Sequence, residues 1–278
     1  MRSFRCLATA WLLAVAAASG GEWKVRSDIP YHVYGHAAAA VGGKIHLLGG
    51  CHTGDWQILS AVHQAYDPAA DKWERKADLP LPTGWSMPAV HGGKIYLFGG
   101  GYRKEGQGIT STDGAWVYDP ATDKWSVIRR LPEVRMNGFA AAAGDFIYIS
   151  LGYNRQGGEY KGVVEEYKST WRYDPKTDTY KRVADAPVNG CYIASGPHKG
   201  KVYAVPGAYD EYGFHGEYTW ADGALEYDPA ADRWTKIDAP RVGEAGVLSD
   251  TVLGVGGRRG QAVDRWRHGG EPQADGRD

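Results

Sequence analysis

Short apolar runs opened by a glycine turn and closed by glycine recur along the chain. Gly42-Gly43-Lys44-Ile45-His46-Leu47-Leu48-Gly49-Gly50 returns as Gly92-Gly93-Lys94-Ile95-Tyr96-Leu97-Phe98-Gly99-Gly100. Looser copies lie at 144–152 and 200–207, and a weak fifth at 251–257. Runs this short, bounded by glycine and containing β-branched and aromatic residues, predict buried strands and not helices. The glycines admit positive φ and let neighbouring backbones approach closely.

A second pattern follows each run. Tyr66-Asp67-Pro68 precedes Trp73, Tyr118-Asp119-Pro120 precedes Trp125, Tyr173-Asp174-Pro175 precedes Tyr180, and Tyr227-Asp228-Pro229 precedes Trp234. Asp-Pro starts a tight turn, because Asp can bond its own backbone and Pro presets φ at the next position. The aromatic then begins an outer strand and packs on a neighbouring sheet with one polar donor to place. Each unit closes on Leu-Pro or Ala-Pro, at 79–80, 131–132, 186–187 and 239–240. The aromatics are spaced by 52, 55 and 54 residues.

Three ordered tokens at a period near 50 resemble the kelch-repeat family over nearly all of residues 22–257. The resemblance implies an all-β kelch-type β-propeller with one four-stranded blade per unit. Four complete blades are expected, near 35–77, 85–129, 137–184 and 190–237. A fifth unit begins at Val242 and gives two strands up to Gly257. It is either incomplete or completed by the stretch from Gln261 to Trp266 and by Trp23 to Arg26, an orphan outer strand that closes the ring and removes free edges. Rings of this family more often have six or seven blades. The residues 258–278 have lost the repeat and read as an irregular, disordered tail.

The N-terminus has a different character. Two arginines within Met1–Arg5, an apolar run from Cys6 to Ala18 and small residues up to Gly20 read as a secretory signal peptide over 1–20. The run is too short to span a bilayer, which takes about 20 residues, so a secreted or periplasmic protein without membrane insertion is expected. Past the leader only Cys51 and Cys191 remain, in different units at non-equivalent positions, and two separate thiols are expected.

Composition narrows the function. The 278 residues are 43% apolar and 23% charged with a net charge of -1, which excludes the basic stripe of a nucleic-acid binder. Glycine (39) is abundant, and the aromatic weight falls on Trp (11) and Tyr (18) more than Phe (5), residues that carry a polar handle.

In a blade of alternating strands a–d, the b–c and d–a connections leave on one face. The b–c connections are long here, at 51–61, 101–114, 153–169 and 208–223. Long loops on one face of a rigid scaffold are the expected binding surface. They carry Trp56, Arg103, Tyr153, Arg155, Glu159, Tyr209, Glu211, Tyr212 and His215. The d–a connections add Tyr34, His36, Trp85, Arg135, Asn137, Tyr192, Arg241 and Glu244 at the rim of the central channel. Aromatic faces interleaved with carboxylates, guanidiniums and amides suit a glycan, whose C–H faces stack and whose hydroxyls bond; a protein partner would use the same residues.

Catalytic patterns are weak. No Gly-x-Ser-x-Gly elbow or phosphate loop occurs. His32 and His36 lie in a turn-rich connection, not on a helix, and no metal or cofactor site is expected. His46, within a strand, is expected to be a neutral imidazole. His215 beside Glu211 and Glu217 is a polar loop that could act as an acid–base group. Exported N-acetylneuraminate epimerases are similar kelch propellers with a long third b–c loop. That resemblance implies an acid and a base at the channel mouth, with Arg135, Glu159, Glu165 and Arg241 as candidates. The leading expectation is a monomeric, exported binding module for a glycan or protein ligand; the alternative is a carbohydrate-active enzyme of the epimerase or mutarotase kind.

Overall fold

Each glycine-bounded run becomes the second strand of a four-stranded antiparallel sheet in the computed structural model, which describes residues 24–52, 55–105, 108–156, 163–205, 208–209, 219–220 and 223–237. The first unit holds β1 (Val33–Tyr34), β2 (Ala37–Val41), β3 (Lys44–Leu48), β4 (Cys51–His52), β5 (Asp55–Leu59), β6 (His63–Asp67) and β7 (Lys72–Arg75). The second holds β8 (Met87–His91), β9 (Lys94–Phe98), β10 (Gly101–Lys104), β11 (Gly108–Ser111), β12 (Ala115–Asp119) and β13 (Lys124–Val127). The third holds β14 (Phe139–Ala143), β15 (Phe146–Ser150), β16 (Tyr153–Arg155), β17 (Val163–Glu166), β18 (Thr170–Asp174) and β19 (Thr179–Val183). The fourth holds β20 (Ala194–His198), β21 (Lys201–Val205), β22 (Ala208–Tyr209), β23 (Thr219–Trp220), β24 (Ala224–Asp228) and β25 (Arg233–Ile237).

Four sheets of order β2-β3-β6-β7, β8-β9-β12-β13, β14-β15-β18-β19 and β20-β21-β24-β25 form four consecutive blades with the expected boundaries. The first strands β2, β8, β14 and β20 lie beside one another along the inner edge. Among the described residues there is no helix long and apolar enough to cross a membrane. The expected fifth unit, the tail, the leader and Trp23 lie outside the described residues, and residues 24–26 carry no strand.

The apolar runs are continuous because both faces of each inner strand are buried. Ile95 and Leu97 of β9 pack with Leu48 and Tyr118 in the core between blades 1 and 2. Tyr96 and Phe98 of the same strand pack with Ile147 and Tyr173 between blades 2 and 3. Tyr148 joins Val202, Leu225 and Tyr227 between blades 3 and 4. The cores of this protein therefore sit in the seams.

Each seam is stitched by the same set of atoms. The carboxylate five residues after the turn tyrosine, absent from the sequence reading, is held at positive φ in all four units: Asp71, Asp123, Asp178 and Asp232. At the second unit Tyr118 Oη donates to Asp123 Oδ1 at 2.6 Å, and the backbone N–H of Ala77, in the preceding unit, donates to the same oxygen at 2.9 Å. Trp125 Nε1 then donates to the carbonyl of Ala77 at 3.0 Å. Arg129 stands in Ala77's place for Asp178 and Tyr180, and Ala184 does so for Asp232 and Trp234. Ser27 does the same for Asp71 and Trp73, so the described N-terminal segment sits where a preceding blade would end. The Asp-Pro turns form as expected, with Asp67, Asp119, Asp174 and Asp228 each accepting from the backbone two residues on.

The first seam carries a buried histidine pair. His46 is packed in the core, with its Nδ1 2.8 Å from His63 Nε2. His63 Nδ1 lies 3.2 Å from the Ala77 carbonyl, which can only accept. His63 therefore carries its proton on Nδ1 and His46 donates from its own. Burial pushes His63 down to about 4, with help from His46. Burial lowers His46 as well, aided by Lys76 and Lys44 and opposed by Glu74 and Asp123.

Two predictions follow from this packing. A Cβ at Gly99 (φ +57) would overlap the Arg135 carbonyl oxygen, whereas Gly93 (φ +73) has nothing within 4 Å. Gly99→Ala is expected to lower unfolding free energy by more than about 3 kcal/mol, and Gly93→Ala by about 1 kcal/mol, measured by urea titration. For the histidine pair, an unfolded imidazole near 6.5 takes up its proton before the folded one does. Stability should be full above pH 6.5 and fall by about 3 kcal/mol as pH drops to 4, with His63→Gln markedly flattening that slope.

Candidate functional site

Where they are described, the long b–c connections pair as antiparallel strands, β4-β5, β10-β11, β16-β17 and β22-β23, with β1 added to the first. Bridges Gly84↔Gly101 and Met136↔Tyr153 join d–a connections to the hairpin of the neighbouring or same unit. The b–c and d–a connections therefore share one face, as expected.

At the inner end of that face, one residue per blade takes the left-handed conformation two positions before the first blade strand. These are Gly35 (φ 63), Trp85 (φ 55), Asn137 (φ 56) and Tyr192 (φ 53). A bulky residue in this region costs on the order of 1–3 kcal/mol and persists only where its surroundings enforce it. Here the backbone does so: Trp85 N–H donates to Gly35 O at 2.7 Å, and Asn137 N–H to Trp85 O at 3.0 Å. Gly35 must lack a side chain, since a Cβ would lie 2.8 Å from the Trp85 indole nitrogen.

These residues surround a cavity of about 340 Å³, within the usual size range of ligand pockets. Tyr34, His36, Trp85, Asn137 and Tyr192 line it, together with Ser86, Ser195 and a wall of Ala37, Pro88 and Phe139. Tyr34 meets Trp85 edge to face, with ring centroids 6.5 Å apart. Among the described residues no Asp, Glu, Lys or Arg lines it, and burial lowers the basicity of His36, opposed by a backbone hydrogen bond to Val33. The described lining offers aromatic faces, an amide and hydroxyls.

The other sequence candidates separate from this mouth. Tyr153 is buried beneath it, and its Oη accepts from Asn137 Nδ2 at 2.8 Å. Arg135 was expected at the rim but has no exposed surface. Two positions ahead of the left-handed Asn137, its side chain turns inward. Its guanidinium donates to the carbonyls of Leu151 (2.9 Å) and Ser169 (3.1 Å) and to Glu133, and it lies 4.7 Å from the Tyr167 ring. It clamps the base of the third hairpin and offers no donor to a ligand. Arg155 is likewise buried, its backbone N–H bonded to Ser111 Oγ at 2.9 Å. Glu165 is exposed on β17. Neither it nor Arg135 reaches the mouth, so this pair does not supply the acid and base of an epimerase site.

Arg103 is exposed in a separate groove beside Gln57. Trp56 and Tyr209 fall on β5 and β22. Glu159, Glu211, Tyr212, His215, Arg241 and Glu244 lie outside the described residues. No disulfide joins Cys51 and Cys191, and burial pushes the Cys51 thiol up to about 12, leaving it unreactive. Among the described residues no cluster of three metal-ligating side chains occurs.

Sequence reasoning missed the left-handed residues because a positive φ at Trp or Tyr has no signature in one sequence. It also missed Asp71, Asp123, Asp178 and Asp232, although their fixed place between Asp-Pro and the aromatic was visible.

The Kelch motif family matches residues 33–80 and again 88–132, the first two blades with their closing prolines. With four blades built on one stitching scheme, the identity of the repeat is settled. The chain is a kelch-repeat protein. It is similar to Kelch-like protein 36 of Bos taurus, with 24% identity over 237 residues, which is 84% of this chain and 36% of that protein. Kelch-like protein terF of Aspergillus terreus is 28% identical over 147 residues, 51% of this chain and 30% of the relative. The kelch-repeat chain thus spans about a third of the length of the curated relatives it matches.

Proposed function

We propose that this kelch-repeat protein is an exported, monomeric binding module whose hairpin face recognises a protein partner, with the channel mouth as its anchor point. The left-handed placement of Trp85, enforced by the backbone, and of Tyr192 around a cavity whose described lining holds no Asp, Glu, Lys or Arg carries this reading. Aromatic anchors seated in pockets dominate protein recognition, and strain of this kind gathers at ligand sites. The expected leader over residues 1–20 supports export. A second reading is favoured by the same cavity: Trp85 and Tyr34 with the Asn137 amide suit a neutral sugar ring, and no cation among the described lining residues favours an acidic one.

A photo-crosslinking amino acid at position 85 tests the first reading, with one at Val127, exposed on the outer strand, as control. A discrete protein adduct from position 85 and none from 127 is expected. On a glycan array, neutral sugars should bind if the second reading holds. In either case Trp85→Ala should weaken binding by about tenfold or more. No adduct at position 85 and no bound glycan would sink both readings. N-terminal sequencing of the exported protein should find a start between residues 19 and 21.

A further inference from the structure

The face joins its hairpins in two different ways. Between the second and third, β11 and β16 touch through the bridge Thr110↔Gln156, and Arg155 N–H donates to Ser111 Oγ, so that joint is closed strand to strand. Between the first and second, no strand pairing forms among the described residues. β5 is the outer strand of the sheet β1-β4-β5, and β10 pairs only with β11 beyond its bridge at Gly101. A groove of about 410 Å³ opens there, floored by Ile58, Leu59, Leu81, Pro82 and Tyr102. Ile58 is 53% exposed on its wall.

The edge of β5 facing this groove is covered by side chains. Gln57 N–H donates to Asp55 Oδ1 at 2.8 Å. The Gln57 carbonyl accepts from Arg103 Nη1 at 3.4 Å, and Arg103 also meets Gln57 Oε1 at 3.3 Å. Those two contacts lie beyond the usual range for N–H···O bonds, so they are weak and exchangeable. No carboxylate pairs with Arg103 among the described residues. A strand edge covered only by side chains, an apolar floor and a guanidinium with no carboxylate partner among the described residues are the components of strand-addition recognition.

We infer that the groove between β5 and β10 accepts an extended segment of a protein partner that carries a carboxylate between apolar residues. Its backbone replaces the side-chain covers on Gln57, its apolar side chains enter against Leu59, Leu81 and Pro82, and its carboxylate takes Arg103. This rests on the protein-binding reading above but uses a different part of the face from the channel mouth.

The test uses fluorescein-labelled acetyl-Thr-Val-Glu-Val-Thr-amide and the full chain, read by fluorescence anisotropy. Two companion peptides replace the central Glu with Lys, or both Val residues with Pro. The Glu peptide should bind about tenfold tighter than the Lys peptide, and Arg103→Glu should reverse that order. The Pro peptide, lacking two backbone donors, should not bind. Ile58→Ser should weaken the Glu peptide about fivefold, and Val127→Ser, on the exposed outer strand β13, should leave it unchanged. Equal binding of the Glu and Lys peptides, no binding of any peptide, or no reversal on Arg103→Glu overturns the inference. Equal loss with Trp85→Ala and Arg103→Glu places the segment at the mouth, which also overturns it while leaving the proposed function standing. Peptide binding that persists when position 85 gives no adduct counts against the mouth and not against the groove.

Discussion

One carboxylate per seam holds this molecule in register. It receives the hydroxyl of its own turn tyrosine and the backbone N–H of the residue that leaves the preceding blade, and the aromatic two positions on bonds that residue's carbonyl. The two peptide groups that flank one residue are thus fixed together. Among the described residues neighbouring blade sheets share no ladder, and apolar packing alone is non-directional, so these bonds set how one blade sits on the next. Positive φ at the carboxylate is needed to aim it backwards; Asp tolerates that conformation better than a larger residue would.

The same economy shapes the upper face. With the inner strands fixed, the d–a connections are drawn together until their backbones bond in series from Gly35 to Trp85 to Asn137. This enforces the left-handed conformations and holds aromatic side chains around the mouth. Arg135 secures the third hairpin from below, through bonds that leave no donor exposed. Arg135 thus lies beneath the mouth and the aromatic groups of Tyr34, Trp85 and Tyr192 at it. The hairpins vary in how they meet, and the joint between the first two leaves a strand edge covered only by side chains.

Much of the architecture was legible because it is repeated. Double glycines, Asp-Pro turns and the following aromatics located all four described blades, since each token meets a local backbone demand. Five of the expected site residues, Tyr34, His36, Trp85, Asn137 and Tyr192, do come together at one cavity, because their place before the inner strand fixes where they lie. Arg135 belongs to the same connection and was misread. Its burial depends on Ser169 and Leu151, which reach it only through the third hairpin. The His46–His63 pair and the folding of the long connections into hairpins were invisible for a similar reason: each depends on which strands lie side by side.

The sequence by itself determined the repeat, the number and limits of the described blades, and the face on which the long connections gather, because glycine, proline and alternating strands act over a few residues. The tertiary structure alone decided which side chains that face exposes, which are consumed in holding it, and where an edge is left open. Those outcomes depend on contacts between residues some 15 to 50 positions apart, whose geometry exists only once the sheets are packed.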